Sequence, residues 1–154
     1  MVENMKRTPD AIAQVQGSMG NEKIRGNVYF YGVHGGTIVM AEIFGLPVEK
    51  NSVSGNFHGF HIHVGSECTG DAKEPYKNAG EHFNPKNTDH PNHAGDLPPL
   101  LACKNMAWSA VYTDRFHPED IVGRTVIIHE KADDFHTQPS GNSGSMIACG
   151  EIVD

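Results

Sequence analysis

Thr37-Ile38-Val39-Met40-Ala41-Glu42-Ile43-Phe44 is almost wholly apolar and follows directly on the turn signal Gly35-Gly36. Eight residues are too few for a typical buried helix, and the run reads as a strand in the interior of a β-sandwich. Working outward, six further short runs share its β-rich character: Ala11–Gln16, Asn27–Val33, His58–Val64, Trp108–Tyr112, Thr125–His129 and Ile147–Val153. Gly20-Asn21 punctuates the chain in the same way as Gly35-Gly36. No segment carries clean helical periodicity. The fold class is therefore all-β, a sandwich or barrel.

Two stretches carry no strand pattern. Residues 65–104 are crowded with Gly, Pro, Asn, Asp and His, and residues 130–145 repeat that composition on a smaller scale. Loops of this length in a compact domain are usually functional or disordered, and the histidines of the first favour function through a metal site that pins it down. With 154 residues and no linker or repeat, one domain over 1–154 is expected, with 1–10 as a flexible N-terminal extension. The net charge of −7 argues against nucleic-acid or anionic-membrane partners but leaves room for a local positive funnel toward a small anion. No apolar stretch is long enough for a membrane helix, and Met1–Gln16 has no apolar leader segment. A cytoplasmic location is favoured on that ground, with a periplasmic or extracellular one if the chain is a processed form. Three cysteines allow one internal disulfide with one thiol left over, and none has the spacing of a thiolate zinc site.

Ten histidines are the unusual feature, and six of them lie between His58 and His93. His61 and His63 flank Ile62, so in a strand both rings project from one face and can chelate one ion. His82, His90, His93 and Asp96 follow in the Pro/Gly-rich loop. Three imidazoles and a carboxylate complete a tetrahedral zinc set with no position left for water, which is the mark of a structural ion. His129 ends a β-branched run and is available to the His61/His63 ion, and an all-imidazole set suits copper.

These residues resemble a known family. Phe57-His58-Gly59-Phe60-His61-Ile62-His63, Gly80-Glu81-His82-Phe83-Asn84-Pro85, His93-Ala94-Gly95-Asp96-Leu97, Gly123-Arg124 through Asp133-Asp134, and Ala148-Cys149-Gly150 occur in the order and spacing of the copper/zinc superoxide dismutases. The likeness runs from about Ala11 to the C-terminus, and the short second loop with Thr137-Gln138-Pro139 is nearer to bacterial than to animal members. It implies a Greek-key β-sandwich or barrel of about eight antiparallel strands. It assigns copper to His61, His63, His82 and His129, and zinc to His82, His90, His93 and Asp96, with His82 as the shared, catalytic bridge. Asp133 takes the place of the aspartate that orients one histidine of each site. His58 matches a histidine that ties strand to loop. Cys68 and Cys149 match the intrasubunit disulfide, which closes about 80 residues and stabilises by roughly 4 kcal/mol, and Cys103 is unmatched. The implied reaction is dismutation of superoxide to dioxygen and hydrogen peroxide by a copper redox cycle, with zinc holding the bridge. Members of the family are monomers or assemble through different surfaces, so monomer and homodimer both stay open.

The pattern breaks at one position. The family places an arginine three residues before the second cysteine, where this chain has Met146. A thioether supplies neither the charge nor the donors that bind a superoxide anion. Loss of one charge-assisted hydrogen bond costs roughly 1.5–3 kcal/mol, or about ten- to a hundredfold in rate. Lys131 is the surviving basic residue expected to steer the anion, with His136 as a helper when protonated. The expected function is thus a slower dismutase. The alternative is a copper-binding or buffering protein on the same fold, toward which Met146 leans and the seven intact ligand positions do not.

Overall fold

The computed structural model describes residues 8–154. Among them eight strands form one antiparallel sheet: β1 Ala11–Gly17, β2 Arg25–Val33, β3 Gly36–Phe44, β4 Phe57–His63, β5 Asp96–Leu101, β6 Met106–Thr113, β7 Thr125–His129 and β8 Met146–Val153. The order across the sheet is β5-β4-β7-β8-β1-β2-β3-β6. Strands β5 and β6 at its two ends come into contact, so the sheet curls into a nearly closed Greek-key barrel. Among the described residues helix is confined to one turn, α1 Pro118–Ile121, and a 3-10 turn at Lys77–Ala79.

Each of the seven runs read from the sequence is a strand. The eighth, β5, was not legible and lies inside the stretch expected to carry no strand. Its sequence contains Pro98-Pro99, which removes two backbone donors. An interior strand could not tolerate that, but β5 ladders only to β4 and its prolines sit at the sheet edge. Of the extension expected over 1–10, residues 1–7 lie outside the described residues. At its end, Asp10 donates its backbone N–H to the Phe30 carbonyl at 2.8 Å and accepts from the Gly32 amide at 2.7 Å.

Strand alternation sorts the side chains. Ala11, Ala13 and Val15 of β1, Val39, Ala41 and Ile43 of β3, Phe60 and Ile62 of β4, and Val126 and Ile128 of β7 all enter one core. The β4–β7 ladder sets Phe60 opposite Ile128 and Ile62 opposite Val126. The residues between them therefore face outward: His61 opposite Ile127 and His63 opposite Thr125. That outer face is nonetheless buried, because the β4–β5 and β7–β8 connections fold back over it. Ile127 packs there with Tyr76, Ala79 and Cys149 in a second, smaller cluster. Cys68 in the first connection is disulfide-bonded to Cys149 on β8 across 81 residues. This bond fastens the long loop to the barrel wall. Cys103 is free and exposed.

Candidate metal centre

The centre lies on the outer face of β4 and β7, between the barrel wall and the two loops. His61 and His63 come from β4 and His129 from the end of β7. His82, His90 and His93 come from the first loop, and Asp96 opens β5. The β7–β8 ladder is shifted next to the site: Ile128 pairs with Ala148 but His129 with Met146, so the extra residue, Ile147, lies on β8. All of these side chains are buried, His61 completely.

The residues fall into two sets. His61, His63, His82 and His129 bring one donor atom each to within 4.8 Å of one another, and His82, His90, His93 and Asp96 do the same. His82 belongs to both. Its ring centre is 4.0 Å from that of His61 on one side and 5.3 Å from that of His93 on the other.

Hydrogen bonds fix which nitrogen of each ring is available. His63 Nδ1 donates to the Gly80 carbonyl at 2.7 Å, and His129 Nδ1 donates to the Gly144 carbonyl at 3.1 Å. His61 Nε2 donates to Asp133 Oδ2 at 2.7 Å. The opposite nitrogens, His61 Nδ1, His63 Nε2 and His129 Nε2, are buried and have no partner, and neither has His82 Nε2. A buried unpartnered nitrogen is costly unless something binds it. Four such lone pairs from four converging rings form a nitrogen set of the kind copper takes. On the far side, His82 Nδ1 lies 2.7 Å from Asp96 Oδ1, and His90 Nδ1 lies 3.1 Å from Asp96 Oδ2. His93 Nδ1 approaches the same carboxylate at 3.3 Å. Three imidazoles and one carboxylate fit zinc and close its coordination.

Electrostatics agree with neutral, ligand-ready rings. Burial holds His63 well below the usual imidazole range, and the neighbouring His82 and His129 add to the effect. Burial likewise lowers His129 to about 3 and lowers His61, where the bond to Asp133 works in the opposite direction. Burial pushes the Asp133 carboxyl up. The bonds it accepts from His61, His90 and the Phe135 amide outweigh this and leave it far below the ordinary carboxylate range. In Asp96 burial also acts upward, against the His82 hydrogen bond and the surrounding histidines, and the net is downward.

Asp133 spans the two sets, since its Oδ1 accepts from His90 Nε2 at 2.8 Å while Oδ2 serves His61. The chain comes close enough only because Gly141 lacks a side chain: a Cβ there would sit 2.0 Å from Asp133 Oδ1 and 2.7 Å from His90 Nε2. Gly59 on β4 similarly leaves room for Ser143, whose Oγ would lie 2.6 Å from a Cβ. His58 reaches the His129 carbonyl at 2.9 Å and the Pro47 carbonyl at 3.2 Å, which ties β4 to its neighbours without entering either donor set.

A cavity of about 530 Å³ opens onto this centre, with His63, His82, His129 and Met146 on its wall. Met146 stands opposite His129 in the β7–β8 ladder. Lys131 does not line this cavity. It lies along a separate groove with Glu49 and Asp134, and its Nζ is 4.0 Å from Glu130 Oε1. His136 is exposed with Nε2 3.6 Å from Asp134 Oδ2. The basic residues on the cavity wall are instead Lys73 and Lys77, from the first loop. Sequence reasoning missed them, and it missed the Gly80 and Gly144 carbonyls that orient His63 and His129, because a backbone acceptor leaves no residue-type signal.

A family model described as copper/zinc superoxide dismutase matches residues 24–152. The chain is 35% identical over 141 residues to superoxide dismutase (Cu-Zn) 4 of Dictyostelium discoideum, covering 79% of this chain and 91% of the relative. A solved superoxide dismutase-like protein from Bacillus subtilis aligns with a TM-score of 0.74 at 29% identity, covering 91% of this chain and 96% of its own. The Cu/Zn superoxide dismutase from Brucella abortus aligns with a TM-score of 0.75 at 24% identity over 92% and 99% of the two chains, a likeness of fold.

Proposed function

Because the chain belongs to the copper/zinc superoxide dismutase family, we propose that it dismutes superoxide to dioxygen and hydrogen peroxide, at a rate reduced by Met146. Copper and zinc are the cofactors of this family. We assign copper to His61, His63, His82 and His129, and zinc to His82, His90, His93 and Asp96. The observation that carries the copper assignment is that four of the buried, unpartnered ring nitrogens belong to His61, His63, His82 and His129, which form one donor set, with an acceptor on the other nitrogen of His61, His63 and His129.

Copper held by these four histidines would supply the one-electron chemistry that dismutation needs. The chain's part is to orient, exclude water and handle a proton. The Gly80 and Gly144 carbonyls and the Asp133 carboxylate keep the protons of His63, His129 and His61 on the outer nitrogens, so the inner ones stay free. His82 is the one ring that belongs to both donor sets, and we assign it the role of the bridge between them. Asp133 keeps His61 and His90 in fixed relation. Met146 on the cavity wall offers an incoming anion neither charge nor N–H, and Lys73 and Lys77 supply the positive potential expected of Lys131.

The Cys68–Cys149 disulfide is the feature that bears on location, and it favours an oxidising compartment over the cytosol read from the sequence. No helix among the described residues is long and apolar enough to cross a membrane.

The test is the superoxide decay rate by pulse radiolysis, on protein with one copper and one zinc verified per chain. The expected rate lies well above that of the copper-free protein, and Met146→Arg raises it about ten- to a hundredfold. A rate equal to that of the copper-free protein overturns the enzymatic reading. It would favour the second one, copper binding or buffering on the same fold, which the thioether on the cavity wall supports.

A further inference from the structure

The second loop holds the zinc-binding segment by more than Asp133. Gln138 Oε1 accepts the His90 backbone N–H at 2.9 Å, while Gln138 Nε2 donates to the His90 carbonyl at 2.7 Å and to the His136 carbonyl at 3.2 Å. One side-chain amide thus pairs with both backbone groups of a residue 48 positions away, on the other loop, and fastens its own loop at the same time. Asp133 meanwhile holds the ring of that same His90. His90 is therefore gripped at ring and backbone by two side chains of the second loop. Gln138, Pro139 and Ser140 form the cavity wall beside Thr88 and Asp89.

From the opposite side, Arg115 Nη1 donates to the carbonyls of Pro91 at 2.8 Å and His93 at 3.0 Å. Arg115 holds the same segment but bonds to nothing in the second loop, which makes it an internal control.

We infer that Gln138 is a positioning residue that couples zinc binding at His90 to the placement of the second loop, and so to the wall of the cavity over the copper-side histidines. The inference rests on the zinc assignment made above. A segment whose backbone is already fixed presents His90 to the metal with less to order, and zinc binding stiffens the loop that Gln138 joins to it. Partners of this kind typically change metal affinity by about 10–100-fold.

The test uses the full chain and zinc itself. Zinc affinity is measured by competition with a chromophoric chelator, and hydrogen exchange of residues 134–145 is followed with and without zinc. Gln138→Ala is expected to weaken zinc about tenfold and to shrink the zinc-induced protection of 134–145. Gln138→Glu keeps the acceptor for the His90 N–H but turns a carboxylate oxygen toward the His90 and His136 carbonyls in place of the donor, and should shrink the zinc-induced protection of 134–145 at least as much as Gln138→Ala. Arg115→Met should weaken zinc while leaving the zinc-induced protection of 134–145 in place. Wild-type affinity and protection in Gln138→Ala overturns the inference, as does the same loss of protection in Arg115→Met. A wild-type chain that binds no zinc sinks the assignment beneath it, an outcome distinct from either.

Discussion

His61, His63 and His129 stand on strands of the barrel wall, whereas His82, His90 and His93 stand on a loop, and the two groups are held by different means. On the strand side, ladder register and a closed core fix the backbone before any ligand is considered. Phe60, Ile62, Val126 and Ile128 fill the core and leave the alternate positions to the histidines. On the loop side strand pairing acts only at single points, where His82 bridges to His63 and Asp96 pairs with His61, and the segment from His90 to His93 is fixed by individual polar bonds. Asp133 and Gln138 act from the second loop, Arg115 from beyond β6, and the His93 amide donates to Asp96 Oδ2 at 2.9 Å. The geometry of the strand-side histidines follows largely from the fold, while that of the loop-side set has to be assembled residue by residue.

The largest effect that sharpens this contrast is on acid stability without metals. His61, His63 and His129 have imidazoles held below their ordinary range by burial, while in the unfolded chain they titrate near the usual value. Below about pH 6.5 the unfolded chain therefore binds protons that the fold excludes, and stability falls as pH falls toward the depressed folded values. Between about pH 6.5 and 5 the loss is up to about 2 kcal/mol for each histidine that stays neutral in the fold. Urea midpoints of the metal-free protein at pH 7 and 5 read it directly. A midpoint that does not move would mean that the strand-side rings take up protons freely, and that their geometry is less rigid than the ladder implies.

The same contrast explains what the sequence disclosed. Strand residues announce themselves through patterning, so seven strands and the His61/His63 pair were legible, and the five ordered motifs held most of the residues that the structure brings into two donor sets. Strand β5 was hidden by Pro98-Pro99, which local propensity counts against any strand although an edge position tolerates them. On the loop side, residue types were visible but distances were not. Lys131 follows His129 closely in sequence yet turns into the groove beside Glu130, while Lys73 and Lys77, more than fifty residues earlier, reach the cavity because the first loop folds back across the wall.

A smaller effect concerns that exchange of cations. Lys73 and Lys77 are exposed on the cavity wall within a chain of net charge −7, and nearby Glu74, Glu81 and Asp89 oppose them. Removing both, as Lys73→Ala with Lys77→Ala, is expected to slow superoxide decay about two- to tenfold at low ionic strength. The difference from wild type should close as salt shortens the screening length to about 3 Å at 1 M. Lys131→Ala should leave the rate unchanged. If Lys131→Ala slows the reaction and the double variant does not, the field over the centre comes from the second loop rather than the first.

The smallest effect probes the strand side alone. Thr125 lies on β7 opposite His63, is fully buried, and its Oγ1 has no hydrogen-bond partner. A buried hydroxyl without a partner costs about 1–3 kcal/mol relative to one that is satisfied, and Val has nearly the same shape without that group. Thr125→Val should therefore be neutral or stabilising by up to about 1 kcal/mol, a rise in Tm of at most about 4 °C. Because the ladder rather than the hydroxyl holds His63 in place, copper affinity should stay at the wild-type value. A fall in Tm would show that the hydroxyl is bonded, through an ordered water or otherwise. A fall in copper affinity would mean that the wall needs polar support of the kind the loop uses, and the division between the two halves of the centre would not hold.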